Sequence, residues 1–338
     1  MSGAQATHNL LPRHRLNFAR SASQAFGLGL PVRAGTRGSP LALAQTRAVM
    51  ELLRRTRPEP ILSMEIIRTT GDTIQDRRLA DIGGKGLFSK EIHQELLDGR
   101  IDIAVHSLKD LETELPQNIV LACALPREDA RDALIFATDV PVPNGGDPYE
   151  TLLPGALVGT SSVRRQAQLL SARPDLRVEP IRGNIDTRLA KLGKHSFAAT
   201  FLAIAGIRRL HKHCVTAMIL DPDVMVPAAG QGIVGVTVRK KDTRLRELLG
   251  QVSDRRAELA ATAERAVLQA LDGSCRTPIG ASARFIHDGN LHLTAVVART
   301  DGSFMLKREL TGGPVDALRL GTELGASLRR DCPRDIFV

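Results

Sequence analysis

Two hydrophobic periodicities alternate along the chain from residue 31 onward. Short apolar runs such as VRAGT, SMEII and IDIAVHS have the length and β-branched content of buried strands. Between them, SPLALAQTRAVMELLRR and SKEIHQELLDG space apolar residues three and four positions apart, which predicts helices. Ser39 is expected to cap the first helix, with Pro40 as its first residue. The alternation predicts a parallel or mixed sheet covered by helices.

The same alternation starts again after the turn-rich segment TDVPVPNGGDPYETLLPG. Three more strand–loop–helix units follow, in ALVGTSSVRRQAQLL, LRVEPIRGNIDTRLAKL and SFAATFLAIAGIRRL, and then a strand in GIVGVTVRK. We therefore expect a first α/β domain over residues 31–131 together with 227–251, and a second α/β domain over residues 132–226.

The last eighty residues have a different pattern. RRAELAATAERAVLQALDG predicts a helix with one apolar face, and Gly273 is the candidate for its C-cap. Asp-Gly turns then separate alternating runs, which predicts a three-stranded antiparallel sheet covered by a helix around 314–330. The expected fold class is α/β: two α/β domains and a smaller C-terminal α+β domain over 255–338.

Composition limits the possible functions. The 338 residues are 43% hydrophobic, enough for more than one core, and no apolar run approaches the roughly 18 residues that span a membrane. Four cysteines without C-x-x-C spacing predict no disulfide framework. In RLHKHC, His211, His213 and Cys214 have no second cluster to complete a site, so no metal is expected.

The net charge of +9 indicates an anionic partner. With no Trp, one Tyr and 3% aromatic residues, platforms for base stacking are scarce, so we expect a small polyanionic substrate and no nucleic acid. Residues 1–30 contain three arginines and no acid, which is typical of a disordered basic extension or of an organellar targeting segment. A cytoplasmic location is expected in the first case, and an organellar one, after removal of 1–30, in the second.

Four strand-to-helix junctions carry cations and hydroxyls: TRGSP, GTSSVRR, RGNIDTR and AGIRRL. Such loops line the ligand cleft of a doubly wound sheet, where helix N-termini bind anions and arginine pairs with carboxylates. Any one of these arginines alone is more typical of a solvated helix end. Together they predict one cleft that binds several carboxylates through Arg37, Ser39, Ser161, Ser162, Arg164, Arg165, Arg182 and Arg188.

The junction AVHSLKDLE adds a carboxylate to this cationic set. Asp110, after Lys109, is either a helix cap or surface partner, or a group that holds N–H donors and stabilises a cationic intermediate. His106 is expected to be a packed, hydrogen-bonded histidine. Cys275, in LDGSCRTPIG, stands in a turn that offers a thiol no apolar core, and needs an explanation of its own.

From about residue 33 to the C-terminus, a series of motifs resembles the porphobilinogen deaminase family, also called hydroxymethylbilane synthase. In order they are RGSPLALAQ, GGKGLFSKE, DIAVHSLKD, GTSSVRRQ, RGNIDTRL, AGIRRL, PAAGQGIVG and AERAVLQALDGSC. The resemblance implies two periplasmic-binding-protein-like domains and a third, cysteine-bearing domain. It also implies the head-to-tail condensation of four porphobilinogen molecules onto a cysteine-linked dipyrromethane, with release of ammonia and then of hydroxymethylbilane, in haem biosynthesis. A monomer is expected.

Residue by residue, the resemblance implies that Cys275 forms the thioether to the dipyrromethane cofactor and that Asp110 is the catalytic aspartate. Cofactor contacts are expected from Lys109, Ser161, Ser162, Arg164 and Arg165. The acetate and propionate groups of the substrate are expected to bind Arg37, Ser39, Arg182, Arg188 and Arg209. Three positions depart from the family pattern: Asp81, where some members have Lys; Glu112, where Pro is more usual; and Ala198, where an acid is common.

A competing hypothesis is a non-catalytic, anion-binding module of the periplasmic-binding-protein type. It accounts for the arginine-rich cleft but predicts no covalent adduct and gives no role to Cys275.

Overall fold

The structure, a computed structural model, describes residues 31–56, 62–73, 86–194, 197–212, 216–273 and 277–337. Cys275 lies outside these ranges, as do Asp81, His213 and Cys214 and the N-terminal segment 1–30. Within these ranges, no helix combines the length and apolar content that crossing a membrane requires.

The first sheet has five strands: β1 (Val32–Thr36), β2 (Leu62–Ile66), β3 (Ile103–Ser107), β4 (Ile119–Ala124) and β10 (Val234–Arg239). Their order is β2-β1-β3-β10-β4, with β1 parallel to β2 and β3, and β10 antiparallel to β3 and β4. The accompanying helices are α1 (Pro40–Thr56), α2 (Thr70–Thr73), α3 (Lys90–Leu97) and α7 (Thr243–Gly250). As predicted, α1 begins at Pro40, and Ala42 donates its backbone N–H to the Ser39 hydroxyl at 3.3 Å.

The second sheet repeats this arrangement. Its strands are β5 (Asp132–Phe136), β6 (Leu157–Gly159), β7 (Arg177–Glu179), β8 (Phe197–Ala203) and β9 (Ala217–Ile219), in the order β7-β6-β8-β5-β9. Three parallel strands are again followed by an antiparallel one, β5. The helices are α4 (Val163–Ala172), α5 (Ile185–Lys194) and α6 (Ile204–Arg209). Ala198, one of the departures from the family pattern, packs partly buried against the core of this sheet.

The third sheet is the predicted antiparallel meander of β11 (Ile279–Phe285), β12 (Leu291–Ala298) and β13 (Met305–Gly312). Helices α8 (Arg255–Ala270) and α9 (Ala317–Asp331) cover it and share its apolar core. Two mixed α/β sheets and a smaller antiparallel one confirm the predicted fold class. The limits of the three domains stay a prediction.

The C-cap of α8 is Leu271, two residues before the predicted Gly273. The left-handed position after the helix is Asp272, with φ of 50°, and not Gly273. A short polar side chain tolerates this region better than most residues do. Gly273 instead donates its N–H to the Leu268 carbonyl at 2.7 Å, which closes the end of the helix.

One buried carboxylate joins the three sheets. Glu264 on α8 accepts hydrogen bonds from the Arg127 guanidinium at 2.5 Å and from the backbone N–H groups of Gly230 and Ala283 at 2.7 and 2.6 Å. Arg127 and Gly230 belong to the two segments in which the chain passes between the first and second sheets, and Ala283 lies on β11. The third sheet is therefore fixed to both crossing segments.

Candidate active site

A cleft of about 950 Å³ lies between the first and second sheets, lined by loops that follow the carboxyl ends of β1, β3, β6 and β8. The structure brings all of the described candidate residues together on its walls: Arg37, Ser39, Lys109, Asp110, Ser161, Ser162, Arg164, Arg165, Arg182, Arg188 and Arg209. This position is the one expected for ligand binding in an open α/β fold.

Lys109 and Asp110 lie in a 3₁₀ turn, Leu108–Asp110, directly after β3. Gly230 packs against this turn with φ of +73°, and a Cβ there would come within 2.9 Å of Leu108 Cγ, so the close approach requires glycine. The Lys109 ammonium donates to Gln231 Oε1 at 3.3 Å. Burial lowers the pKa of Lys109 to about 8; Asp110 opposes this shift and Arg165 adds to it.

The Asp110 carboxylate is 35% exposed and faces the Arg37 guanidinium, with 3.9 Å between Oδ2 and Nη1. Arg37 is held mainly by another acid, Asp72 on α2, whose two carboxylate oxygens each accept from Nε at 3.2 Å. The guanidinium also stacks 4.0 Å over the ring of Phe88. Burial acts to raise the pKa of Asp72, but the bonds from Arg37 and Thr69 outweigh it and lower that pKa. The Asp72 carboxylate therefore occupies the edge of the Arg37 guanidinium that carries Nε and Nη2.

Arg164 and Arg165 converge on Asp132, a residue that the sequence analysis missed. Arg164 Nη2 lies 2.8 Å from Asp132 Oδ2, and Arg165 Nη2 lies 2.6 Å from Oδ1. Asp132 is fully buried, and Gln231 donates to it at 2.9 Å. Although burial alone would raise the pKa of Asp132, the two arginines lower it well below its usual range. Asp132 is the first residue of β5. An acid at that position is typical of an ordinary strand boundary, so nothing in the sequence marked it as the partner of Arg164 and Arg165.

The Arg164–Arg165 pair is placed by the start of α4. Ser162 is the N-cap of this helix, and its hydroxyl accepts from the backbone N–H of Arg165. Ser161, one residue earlier, donates its hydroxyl to the Ile181 carbonyl at 2.9 Å. The cap and the first turn of α4 therefore turn both arginines toward Asp132.

The three remaining cations each donate to a backbone carbonyl. Arg182 bonds to Gly71 at 3.5 Å, Arg188 to Gly183 at 3.0 Å, and Arg209 to Gly232 at 2.7 Å. A guanidinium has five N–H donors, so the bond to Gly183 leaves Arg188 donors for a carboxylate, and the bond to Gly232 does the same for Arg209. Burial and the nearby Arg165 lower the pKa of Arg188 to about 10, which keeps it cationic at neutral pH.

His106 is the packed histidine that was predicted. Its Nε2 lies 3.0 Å from the Thr237 hydroxyl, and burial, with His93 and Arg37 nearby, lowers its pKa to about 3. Burial also raises the pKa of the Cys123 thiol to about 12, which makes it a poor nucleophile. In the part of the chain that the structure describes, no group of three or more His, Cys, Asp or Glu side chains could hold a metal ion.

Two family models match the chain. Porphobilinogen deaminase, dipyromethane cofactor binding domain, matches residues 32–247, and porphobilinogen deaminase, C-terminal domain, matches residues 258–330. Among curated proteins, porphobilinogen deaminase of Paracoccus denitrificans is 45% identical over 91% of this chain and 96% of that protein. Porphobilinogen deaminase, chloroplastic, of Oryza sativa is 43% identical over 88% of this chain and 83% of that protein.

A solved structure, the probable amino-acid ABC transporter extracellular-binding protein ytmK of Bacillus subtilis, gives a weak overall likeness. It is 11% identical, with a TM-score of 0.41 over 67% of this chain and 90% of that chain.

Proposed function

This chain belongs to the porphobilinogen deaminase family, and we propose which of its residues carry that family's activity. The reaction is the stepwise condensation of porphobilinogen with release of ammonia, followed by hydrolysis to hydroxymethylbilane, so the chain is a transferase of tetrapyrrole biosynthesis. A non-catalytic anion-binding module is not favoured, because both the cofactor-binding domain and the C-terminal domain of the family are matched.

The cleft fits a dipyrromethane cofactor. Gly273 and Thr277, which flank the segment 274–276, both line it. Carboxylate side chains on a dipyrrole need cationic donors, and the walls of the cleft offer them. We assign cofactor binding to Lys109, Ser161, Ser162, Arg164 and Arg165, with a thioether from Cys275. When bound, the cofactor supplies the free pyrrole α-carbon onto which substrate is added.

We assign the incoming substrate to the remaining cations of the cleft. Porphobilinogen carries an acetate and a propionate, and each pairs well with a planar guanidinium. The proposed substrate-binding residues are Arg37, Ser39, Arg182, Arg188 and Arg209. For Arg37 to bind a carboxylate through Nε and Nη2, substrate must displace Asp72 from that edge.

Asp110 is proposed as the catalytic carboxylate. Loss of ammonia from the aminomethyl group of porphobilinogen leaves a cation delocalised over the pyrrole ring. A fixed carboxylate stabilises that cation and accepts the pyrrole N–H, and both effects are strongest where water is scarce. The observation that carries the assignment is an acid at the end of β3, 3.9 Å from Arg37, in a cleft whose lining cations outnumber its acids.

The replacement Asp110→Asn tests this role. It keeps the volume and a hydrogen-bond acceptor but removes the charge, so we expect turnover to fall by about 10²–10³-fold with cofactor still attached. Asp110→Glu keeps the charge one methylene away and should retain measurable activity. Mass spectrometry after mixing with porphobilinogen resolves successive additions of one pyrrole. The control is Asp288→Asn, in an exposed turn of the third sheet. Wild-type rates of addition in Asp110→Asn would refute the assignment.

We further propose a cytoplasmic monomer that contacts neither nucleic acid nor membrane. The low aromatic content and the use of the cleft's cations for small carboxylates support this. The alternative, an organellar enzyme after removal of residues 1–30, is supported by the acid-free composition of that segment and by the relative whose printed name is chloroplastic. We retain the domain limits 31–131 with 227–251, 132–226 and 255–338 as part of the proposal.

A further inference from the structure

Glu112, two residues after Asp110, places its carboxylate beside His93 on α3. Glu112 Oε2 lies 3.9 Å from His93 Nδ1, and the two side chains are 12% and 2% exposed. Within the described ranges, Glu112 Oε2 and both ring nitrogens of His93 have no hydrogen-bond partner. Buried polar atoms are nearly always paired, and a shift of about 1 Å would bring this pair to hydrogen-bond distance.

The backbone at Glu112 is tied to a different part of the molecule. Arg265 on α8 donates through Nη2 to the carbonyl of Glu112 at 2.6 Å and to that of Thr113 at 2.8 Å. The Thr113 hydroxyl donates to the carbonyl of Gly273, the last described residue before the Cys275 segment, at 3.1 Å. The segment that follows Asp110 is therefore hydrogen-bonded to α8 and to Gly273, both of which precede Cys275 in the sequence.

The Glu112 carboxylate also abuts the segment that leads into α3. A Cβ added at Gly86, whose φ is +77°, would come within 2.1 Å of Glu112 Oε1. Among the described residues, the other titratable or charged groups near the pair are His106 on β3, whose ring centroid lies 5.3 Å from that of His93, and Arg265 on α8. Burial lowers the pKa of Arg265, and the Glu112 carboxylate opposes that shift.

We propose that Glu112, which lies beside His93, is a positioning residue that fixes Asp110 relative to α8 and Gly273. Its side chain places the segment after the Leu108–Asp110 turn against α3, while its backbone is hydrogen-bonded to α8. The inference rests on the proposed role of Asp110. It gives a function to the acid at a position where the family pattern more usually has proline.

The test compares Glu112→Gln with Glu112→Pro. The Gln variant loses the carboxylate charge that faces His93 and Arg265, and we expect kcat to fall about five- to tenfold, because small displacements of a catalytic group are costly. KM and cofactor content should not change, since no assigned binding residue is altered. Leu111 has φ of −85° and ψ of 140°, the conformation that a following proline favours. Pro at 112 fixes φ through the backbone and should restore kcat to within about twofold.

His93→Gln should lower kcat as Glu112→Gln does, and the double variant should be no worse than either single one, because the two residues act as a unit. The matched control is Glu95→Gln, also on α3, whose carboxylate pairs with Arg100. Burial lowers the pKa of His93 and Glu112 opposes this shift, so NMR titration of the holoenzyme should find a still lower pKa in Glu112→Gln.

A wild-type kcat in Glu112→Gln would overturn the proposal, as would equal impairment of the Gln and Pro variants, which would mean that the carboxylate acts chemically. Asp110→Asn, measured in parallel, separates this failure from failure of the proposed mechanism. If Asp110→Asn adds pyrroles at the wild-type rate, the mechanism fails; if it is slow while Glu112→Gln is normal, only the positioning role fails.

Discussion

The two walls of the cleft carry similar residues in different electrostatic states. On the first-sheet wall, Arg37 and Asp110 are partly exposed and 3.9 Å apart. On the second-sheet wall, Arg164 and Arg165 are buried and share the fully buried Asp132. A carboxylate between two desolvated arginines fixes their geometry and leaves one net positive charge. A partly exposed pair is screened by water and can exchange partners, which suits an arginine, Arg37, that is proposed to meet each new substrate.

The two walls should differ most in the stability that is lost when the acid that pairs with their arginines, Asp132 or Asp72, is replaced. Asp132→Asn leaves two buried guanidinium groups without their counter-charge, which typically costs about 3–5 kcal/mol. Asp72→Asn breaks a partly exposed pair with Arg37, where about 0–1 kcal/mol is typical. Thermal unfolding of the two variants beside the wild type measures both effects. Equal shifts in Tm would show that the walls do not differ as described.

Replacing the arginines themselves should separate cofactor from substrate binding. We expect Arg164→Gln or Arg165→Gln to leave mostly apo-protein, and Arg182→Gln or Arg188→Gln to leave cofactor-loaded protein that elongates poorly. A charged contact to a carboxylate contributes about 1.5–3 kcal/mol, so each loss should weaken binding by roughly ten- to a hundredfold. Intact mass reports loading, and KM for porphobilinogen reports substrate binding. Equal loading of all four variants would contradict the division between cofactor-binding and substrate-binding arginines.

The smallest expected effect is a pH dependence of cofactor loading. It arises from Lys109, whose ammonium donates to Gln231. Because its pKa is lowered to about 8, Lys109 is mostly cationic at pH 7 and mostly neutral at pH 9. Loading of apo-protein from porphobilinogen should therefore weaken by about tenfold over that interval, as the cation is lost with rising pH. Lys109→Arg stays charged and should remove this dependence. The same slope in both proteins would show that another group titrates.

Local patterns made much of the fold predictable. The period of 3.6 residues in α1 and α8, the apolar runs of β1 and β3, and the Asp-Gly turns of the third sheet are properties of neighbouring residues. The C-cap of α8 was predicted two residues too late, at Gly273, because Asp272 and Gly273 both accept a left-handed conformation, and the packing of the last turn selects between them. Lys109 and Asp110 were found because they directly follow an apolar strand.

The acids that lie beside the arginines of the cleft, and beside His93, could not be predicted in the same way. Asp132 is 33 positions from Arg165, Asp72 is 35 from Arg37, and Glu112 is 19 from His93, and no periodicity links such positions. The sequence by itself determined the order of strands and helices, the cationic junctions and the family, since these depend on neighbours and on motif order. Only the tertiary structure decided which cations are neutralised and which can meet a ligand, because Coulomb energy and desolvation depend on distance and burial in space.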